Sequence, residues 1–520
     1  MQELKYVALQ QGLPFIGFGF VDNAIMIIAG DYIDVKLGVS LGISSMAAAG
    51  IGNTISDIAG LGLGGVMMLK ETRVAKTVGS SIGVTIGCLL GMLPLLFMET
   101  RTAQSSMESS ERIAAAVIDW FHASHVAQKK HAVAKREWTV LAGIVVLAGG
   151  EPARVLACGT GTKCLGRRDL DADGLVVNDC HAEIVARRAL LRYLYSDALH
   201  HDEAKSIFTR DPASKKLRLK PNHELHLFIS EPPCGDAAIY PLREAVVEQL
   251  VTSRTQRETT SEEHERSELR LTGAKQKRVD GDDAATQDKR FAQAVGVARV
   301  KSGRSDLPLD KQTLSMSCSD KIALWSACGV QGSLLLAWFE PLILTSIVVV
   351  EDPSSRSRGV QQHAMERALR DRVAICHGKA PQLYVLPQSA VTARFRLSRA
   401  TDKTASSLSL NWTRQEPHWH SDQKATRWHA SFFHSPDAEV VMAATGFKEG
   451  AKKASQMDAV ARQRVASRLS KWSLFRAYET LRRQVSTADT EQPTRSYADE
   501  KAVVLDASGL SDRQRAKSEL

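Results

Sequence analysis

Three short motifs, far apart in the sequence, constrain the fold of this chain more than any other feature. They are His181-Ala182-Glu183, Pro233-Cys234-Gly235-Asp236 and Ser317-Cys318-Ser319-Asp320-Lys321. A catalytic zinc site takes three protein ligands and leaves one position open. One imidazole and two thiolates, from His181, Cys234 and Cys318, would form such a set if the fold brings them together. Glu183 is not a ligand in this prediction, but it lies close enough to carry protons for a hydrolytic reaction.

Each of these residues could instead be structural, because a histidine at a helix start is usually a polar surface group and His-x-Glu also occurs by chance. The three motifs in this order favour a zinc site that deaminates a nucleobase. Small nucleobase deaminases bring both cysteines in one Pro-Cys-x-x-Cys turn. Here Ala237 stands where that turn would have its second cysteine, and the second thiolate comes from Cys318 instead.

The first hundred residues differ in kind from the rest. Gly12–Gly30 carries one charged residue, Leu37–Leu69 also carries one, and Thr77–Met98 carries none. At about 1.5 Å rise per residue, the last of these is long enough to span a bilayer as a helix. Buried helices of a soluble core are the alternative, but three such stretches in succession favour a membrane module.

The motifs of this region resemble the transmembrane protein 65 family over about residues 10–98. They are Gly17 to Ile27, Leu41 to Ser44, Met46 to Ala49, Gly52-Asn53 and Ser56 to Gly60. The resemblance implies an all-α module of three transmembrane helices over 1–100. It also implies a multi-pass protein of the mitochondrial inner membrane.

The remainder of the chain predicts an α/β domain over 137–485, with a mixed central sheet and flanking helices. Residues 101–136 are predicted to form a helical or flexible linker, 251–290 a charged surface insertion, and 486–520 a polar, poorly ordered tail. Strands are predicted at Thr139–Leu147, Arg154–Cys158, Leu225–Ile229, Leu342–Glu351, Ser407–Trp412 and Ala438–Ala443, and helices at Ala182–His200, Lys321–Phe339, Val360–Val373 and Ala459–Arg483.

Composition adds two constraints. The eight cysteines are irregularly spaced, which favours a reducing compartment with a few metal ligands over a disulfide framework. The formal net charge of +9 suits a nucleic-acid or anionic-membrane partner, but it is spread too widely to decide between them.

Further motifs extend the zinc pattern over about 137–480. They are Gly159 to Cys164, Asn178 to Glu183, Thr272 to Lys275, Lys301 to Arg304, Ser315 to Trp325 and Gln331 to Ser333. Here the chain resembles RNA adenosine deaminases of the adenosine-deaminase (editase) type, and among them the tRNA-specific adenosine deaminase 1 family. The resemblance implies zinc-dependent conversion of adenosine to inosine in tRNA, at adenosine 37 of tRNA-Ala.

Arg187 lies within an apolar stripe of the predicted helix, so its guanidinium either extends to solvent or meets a buried anion. The resemblance implies an anion, because members of the family enclose inositol hexakisphosphate in a basic cavity under the active site. The matching residues are Asn178, Asp179, Arg187, Arg188, Lys321, Trp325, Ser333 and Lys471, with Asp179 linking the anion to the zinc site. Leu324 stands where the family has arginine, and the family's C-terminal lysine and tyrosine contacts have no clear match in 486–520.

For the substrate, Thr162 and Lys163 are predicted to line the pocket of a flipped adenosine. Lys275 is predicted to contact RNA, with a solvated loop as the alternative. Two other interpretations stay open at this point. The deaminase-like domain of a membrane protein could be inactive, or two neighbouring genes could be joined artificially.

Overall fold

The computed structural model describes the chain from Arg101 onward, in segments. These are residues 101–132, 137–149, 151–240, 295–301, 308–355, 357–371, 380–392, 395, 402–419, 426–452, 454–485 and 496–507. The predicted membrane module, the charged insertion and Lys275 lie outside the described residues. Across the described segments, no helix has both the length and the apolar composition that crossing a membrane requires. The chain divides into two compact units, Met1–Ser109 and Ser110–Leu520.

The centre of the second unit is a mixed sheet, which confirms the predicted α/β class. In chain order the described strands are β1 (Glu137–Trp138), β2 (Leu141–Ala148), β3 (Arg154–Thr160), β4 (Phe208–Arg210), β5 (Leu217–Leu219), β6 (His223–Ile229), β7 (Ser346–Val350), β8 (Gln382–Leu386), β9 (Thr404–Ala405), β10 (Leu408–Thr413) and β11 (Glu439–Met442). Seven of them form one sheet in the order β11-β10-β3-β2-β6-β7-β8. Pairing is antiparallel from β11 to β6 and parallel from β6 to β8. The parallel strand β7 is buried along its whole length, as expected for a strand covered on both faces.

Helices cover the sheet. The described ones are α1 (Arg101–Ala123), α2 (His125–Ala132), α3 (Ala182–Leu199), α4 (Cys318–Cys328), α5 (Arg358–Glu366), α6 (Gln388–Thr392), α7 (Arg427–Phe433), α8 (Ala459–Val465), α9 (Lys471–Val485) and α10 (Tyr497–Ala507). Helix α3 lies directly on β3. A Cβ at Gly159 would be 2.6 Å from the backbone nitrogen of Ala186 and 2.7 Å from the carbonyl oxygen of Ala182. Glycine at this position therefore allows the first turns of α3 to approach the sheet.

Two predicted helices were too long. The helix predicted over Lys321–Phe339 ends at Cys328, because Gly329 has a φ of +87°, which favours glycine and stops the helix. The helix predicted over Ala459–Arg483 is two helices, α8 and α9. Between them, the backbone nitrogen of Arg468 donates to the buried carboxylate of Glu439 at 3.1 Å. This tertiary contact takes the place of helical hydrogen bonds.

The segment predicted as a helical or flexible linker is helical in its described part. Ile113, Val117 and Phe121 of α1 are buried. The Phe121 ring meets Phe395 edge-on, with ring centroids 5.3 Å apart. A Cβ at Gly143 of β2 would lie 2.6 Å from the Val117 side chain. This part of α1 is therefore packed on the sheet, which a flexible linker would not be.

The prediction of a poorly ordered tail is wrong for residues 497–507, which form α10. Val504 and Leu505 are buried and pack with Leu336. The Tyr478 hydroxyl donates to Glu500 Oε2 at 2.8 Å, and Arg482 pairs with the same carboxylate. These contacts hold α10 against α9.

The buried His226 of β6 should make stability depend on pH. Burial lowers the pKa of His226 to about 4, while the unfolded side chain titrates near 6.5. The unfolded chain therefore binds the proton first. The contribution of His226 is complete above pH 6.5 and decreases as the pH falls towards 4, by about 3 kcal/mol in total.

Denaturant unfolding of wild type and His226→Gln at pH 7.5 and pH 4.5 measures this effect. The amide can keep a hydrogen bond to Ser346, whose Oγ lies 2.8 Å from His226 Nδ1. We expect the variant to lose less stability than wild type between the two pH values. Equal losses would contradict the assignment.

Candidate active site

Three different elements position the predicted zinc ligands. His181 is the residue that precedes α3, and Cys318 is the first residue of α4. Cys234 lies in the turn after β6, followed by Gly235 with a φ of +107°. A Cβ at Gly235 would lie 2.3 Å from Ser317 Oγ, so glycine lets this turn pack against the start of α4. Two helix N-termini and one turn therefore meet at one point.

The three ligand atoms have the spacing of a zinc site. Cys318 Sγ is 3.5 Å from His181 Nδ1, and Cys234 Sγ is 3.8 Å from the same nitrogen. All three atoms lie within 4.8 Å of one another. Tetrahedral zinc with ordinary bond lengths places nitrogen and sulfur about 3.6 Å apart and two sulfurs about 3.8 Å apart. The residues present fit zinc.

The surroundings favour a thiolate at Cys234. A hydrogen bond from the Cys318 thiol is the main cause that holds the pKa of Cys234 well below its usual range, although burial opposes it. The positive charges of Lys301 and His181 act in the same direction. The backbone nitrogen of Cys318 also donates to Cys234 Sγ at 3.4 Å. A deprotonated sulfur is the form that binds a metal ion.

Glu183 lies in the first turn of α3 and is 3% exposed. Its charge acts on the pKa of both Cys318 and Lys301, so the carboxylate is close to the ligand cluster. In the described segments, no other residue is hydrogen-bonded to this carboxylate, which leaves it available to a substrate. The position suits a group that moves protons beside a metal.

The predicted substrate residues lie in different surroundings. The Thr162 hydroxyl oxygen is buried and has no hydrogen-bond partner among the described residues. It is therefore available to a ligand. The Lys163 side chain is exposed, and its carbonyl oxygen accepts a hydrogen bond from the backbone nitrogen of Cys180.

Asp179 connects the ligand histidine to two lysines. Its carboxylate accepts hydrogen bonds from Lys301 Nζ at 2.6 Å, from Lys321 Nζ at 2.6 Å and from Ser315 Oγ at 3.1 Å. It also accepts from the backbone nitrogen of His181 at 3.1 Å. The two ammonium groups hold the pKa of Asp179 well below its usual range, although burial opposes them. A fixed negative charge therefore orients the residue that carries the imidazole.

A cavity of about 420 Å³ lies on the other side of Asp179. All eight residues that the resemblance assigns to anion binding line it: Asn178, Asp179, Arg187, Arg188, Lys321, Trp325, Ser333 and Lys471. Leu324 lines it as well. We call it the basic cavity.

Sequence reasoning missed three residues of this region. Tyr497 and Lys501, both on α10, line the basic cavity. Their spacing of four residues, followed by Val504 and Leu505, is the helical signal that the tail contains. Lys301 belongs to a motif that was recognised, but its contact with Asp179 depends on the tertiary fold.

The basic cavity fits a polyanion. Burial and then the neighbouring Arg188 lower the pKa of Arg187 to about 10. In the described part of the chain, neither arginine forms an ion pair. Arg187 Nε donates to the Val330 carbonyl oxygen at 2.8 Å, and Arg188 Nε donates to that of Leu469 at 2.6 Å. Both arginines are partly buried. Cations withdrawn from water normally have a counter-charge, so an anionic ligand would stabilise this arrangement.

Comparisons with known proteins agree with this geometry. The adenosine-deaminase (editase) domain family matches residues 157–508, and the transmembrane protein 65 family matches residues 10–68 and 66–99. The chain is 34% identical over 286 residues to the tRNA-specific adenosine deaminase 1 of Drosophila melanogaster, covering 53% of this chain and 64% of that protein. It is 28% identical over 461 residues to the Mus musculus protein of the same name, covering 69% and 85%.

A second group of relatives resembles the other end of the chain. Transmembrane protein 65 of Bos taurus is 47% identical over 114 residues, which are 18% of this chain and 48% of that protein. The chain thus spans about half the length of this relative and just under two thirds of the Drosophila deaminase. The editase match covers more than half of the chain and includes the ligand cluster, Glu183 and α10. The chain therefore belongs to the adenosine-deaminase (editase) domain family.

Proposed function

We propose that this chain is a zinc-dependent RNA adenosine deaminase that converts adenosine to inosine in tRNA. One observation carries the proposal. His181, Cys234 and Cys318 converge to within 4.8 Å beside the buried Glu183, inside the region that matches the editase family.

Each residue of the site has a part in the reaction. His181, Cys234 and Cys318 would hold zinc, which would supply a Lewis acid that activates water near neutral pH. Glu183 would accept one proton from the attacking water and deliver it to N1 of adenine. It would then carry the proton of the new C6 hydroxyl to the amino group, which leaves as ammonia. The buried Thr162 hydroxyl offers a hydrogen bond to the flipped base. Lys163 would line the pocket of this base, and Lys275 would contact the RNA.

The proposal of a tRNA substrate is supported by the relatives named tRNA-specific adenosine deaminase 1. The proposal of adenosine 37 of tRNA-Ala is supported only by the resemblance to that family. The test incubates the detergent-solubilised full-length chain with a tRNA-Ala transcript and reads inosine as guanosine by sequencing. A transcript that carries guanosine at position 37 and a double-stranded RNA are the controls. Inosine at position 37 alone supports the proposal. Inosine only in the duplex would contradict the tRNA assignment, and none in any RNA would contradict deamination.

We propose inositol hexakisphosphate as the ligand of the basic cavity. Arg187, Arg188, Lys321, Lys471 and Lys501 all line it, and Asp179 already binds one of these cations. Phosphate groups are recognised by such convergent cations. Bound there, the polyanion would neutralise charge next to the Asp179 contacts that reach His181.

Lys501→Met tests this ligand. The loss of one charge-assisted hydrogen bond should weaken inositol hexakisphosphate binding by about tenfold or more, measured by calorimetry on the full-length chain. Lys452→Met is the matched control, because this exposed lysine does not line the cavity. Equal affinities for the two variants would place the ligand elsewhere.

We propose that residues 1–100 form a three-helix module that tethers the enzyme to a membrane, the mitochondrial inner membrane by resemblance. The family match and the nearly uncharged stretches support this proposal. Alkaline carbonate extraction of isolated membranes tests it. The native chain should stay with the membranes, and release into the supernatant would contradict a multi-pass anchor.

A further inference from the structure

Buried polar atoms without a hydrogen-bond partner concentrate where α3 meets the end of α7. Within the described segments they include Arg192 Nη1, Ser196 Oγ and both ring nitrogens of His434. Arg192 and Ser196 are fully buried. Buried polar groups in native proteins are nearly always satisfied, so several such atoms in one place indicate a ligand.

Helical spacing, a ring contact and a hydrogen bond place these residues near one another. Arg192, Ser196 and His200 follow each other at intervals of four residues, along one side of α3 and its cap. The His434 ring packs against the His200 ring, with centroids 5.1 Å apart. Arg192 Nη2 donates to the carbonyl oxygen of Ser435 at 2.8 Å, so the guanidinium lies beside His434.

The charge of the site is positive. Among the described residues Arg192 has no ion pair, and the buried carboxylate of Glu439 is taken by Arg468 and Lys448. Burial, and then the Arg468 guanidinium, hold the pKa of Arg192 well below its usual range. Burial is also the main cause that lowers the pKa of His434, and the nearby His429 and Arg192 lower it further.

Charge decides which ligand fits. A metal ion would be repelled by the Arg192 guanidinium. In addition, in the described part of the chain, the only group of histidine, cysteine and carboxylate side chains spaced for a metal is the His181 cluster. A guanidinium N–H, a hydroxyl and an imidazole N–H are donors that suit an anion. Because Arg192 and Ser196 are fully buried, the anion must be small.

We propose that Arg192, Ser196 and His434 bind a small inorganic anion between α3 and α7. The anion satisfies the remaining guanidinium donor and neutralises its charge. It thereby joins α7 to α3, the helix that begins directly after His181 and carries Glu183. This site is separate from the basic cavity, which none of the three residues lines.

Thermal unfolding of the full-length chain tests the proposal, in sodium gluconate of constant ionic strength with added chloride or inorganic phosphate. At one hundred times Kd, a bound anion should raise the Tm of wild type by about 3 °C. The increase should shrink to a third or less in Ser196→Ala and in His434→Phe, which keeps the ring contact with His200. Lys501→Met measures any part of the increase that comes from an anion in the basic cavity. Lys452→Met, at an exposed lysine that does not line that cavity, should keep the full increase.

Several results would overturn the proposal. One is an equal increase in wild type, Ser196→Ala and His434→Phe. Another is an increase lost only in Lys501→Met, which would place the anion in the basic cavity. A third is no increase with either anion. The last is a second zinc per chain that disappears in His434→Phe, which would make the site a metal site.

Discussion

Replacing Glu183 with glutamine is expected to lower kcat for adenosine-to-inosine conversion by about 10²–10⁴-fold, with one zinc per chain retained. Glutamine has the same size and fits the buried position, which is 3% exposed in wild type. Its amide cannot accept or deliver the proton that the reaction moves. Because Glu183 is not one of the three ligands, metal binding should survive.

Single-turnover kinetics with saturating tRNA measure this loss in the chemical step, and zinc analysis of the same preparation measures the metal. Glu224→Gln is the control, because that glutamate lies on β6 with its side chain 56% exposed. It should react at the wild-type rate. If Glu183→Gln also reacts at the wild-type rate, the role assigned to Glu183 is wrong. If the wild type itself formed no inosine, the domain would be inactive, which is one of the two alternative interpretations of the sequence.

Replacing Cys318 with alanine is expected to weaken zinc binding by more than about 100-fold and to abolish inosine formation. The change removes one of three protein ligands. It leaves Cys234 and His181 without the sulfur that lies 3.5 Å from the imidazole. Because structural and catalytic metal binding stabilises the folded state, the Tm should fall as well.

Cys158→Ala is the matched control for this loss. Cys158 is also a fully buried free cysteine, but it lies on β3 and outside the ligand cluster. Zinc content after dialysis against a mild chelator should stay near one per chain in Cys158→Ala and drop in Cys318→Ala. Equal zinc content in the two variants would exclude Cys318 as a ligand.

The ligand cluster could be predicted from the sequence because each ligand lies in a short local pattern. His181 precedes a helix, Cys318 begins one, and Cys234 lies in a glycine turn after a strand. Local patterns of this kind can be recognised in the sequence without knowledge of the fold. Six of the seven strands of the mixed sheet were predictable for a similar reason, since they are apolar runs bounded by turns, but β8 (Gln382–Leu386) was not predicted.

The rest depends on contacts between distant residues. The break between α8 and α9 follows from the buried Glu439, which binds the connecting segment. In the sequence, the segment that forms α10 was interpreted as a polar tail. In the fold, Val504 and Leu505 pack with Leu336, and Tyr497 and Lys501 line the basic cavity. The spacing of residues within a segment does not show which distant residues the segment will contact. The family's C-terminal lysine and tyrosine contacts have no clear match in the sequence of 486–520. In the fold, Tyr497 and Lys501 line the basic cavity and are candidates for these contacts.

The central claim is that one nitrogen and two sulfurs from distant parts of the chain hold a single zinc ion. X-ray absorption spectroscopy at the zinc edge of the full-length chain tests it most directly. We predict two sulfurs at about 2.3 Å from the zinc, with nitrogen and oxygen at about 2.0–2.1 Å. A shell of nitrogen and oxygen alone, a shell of four sulfurs, or a chain that binds no zinc would contradict it.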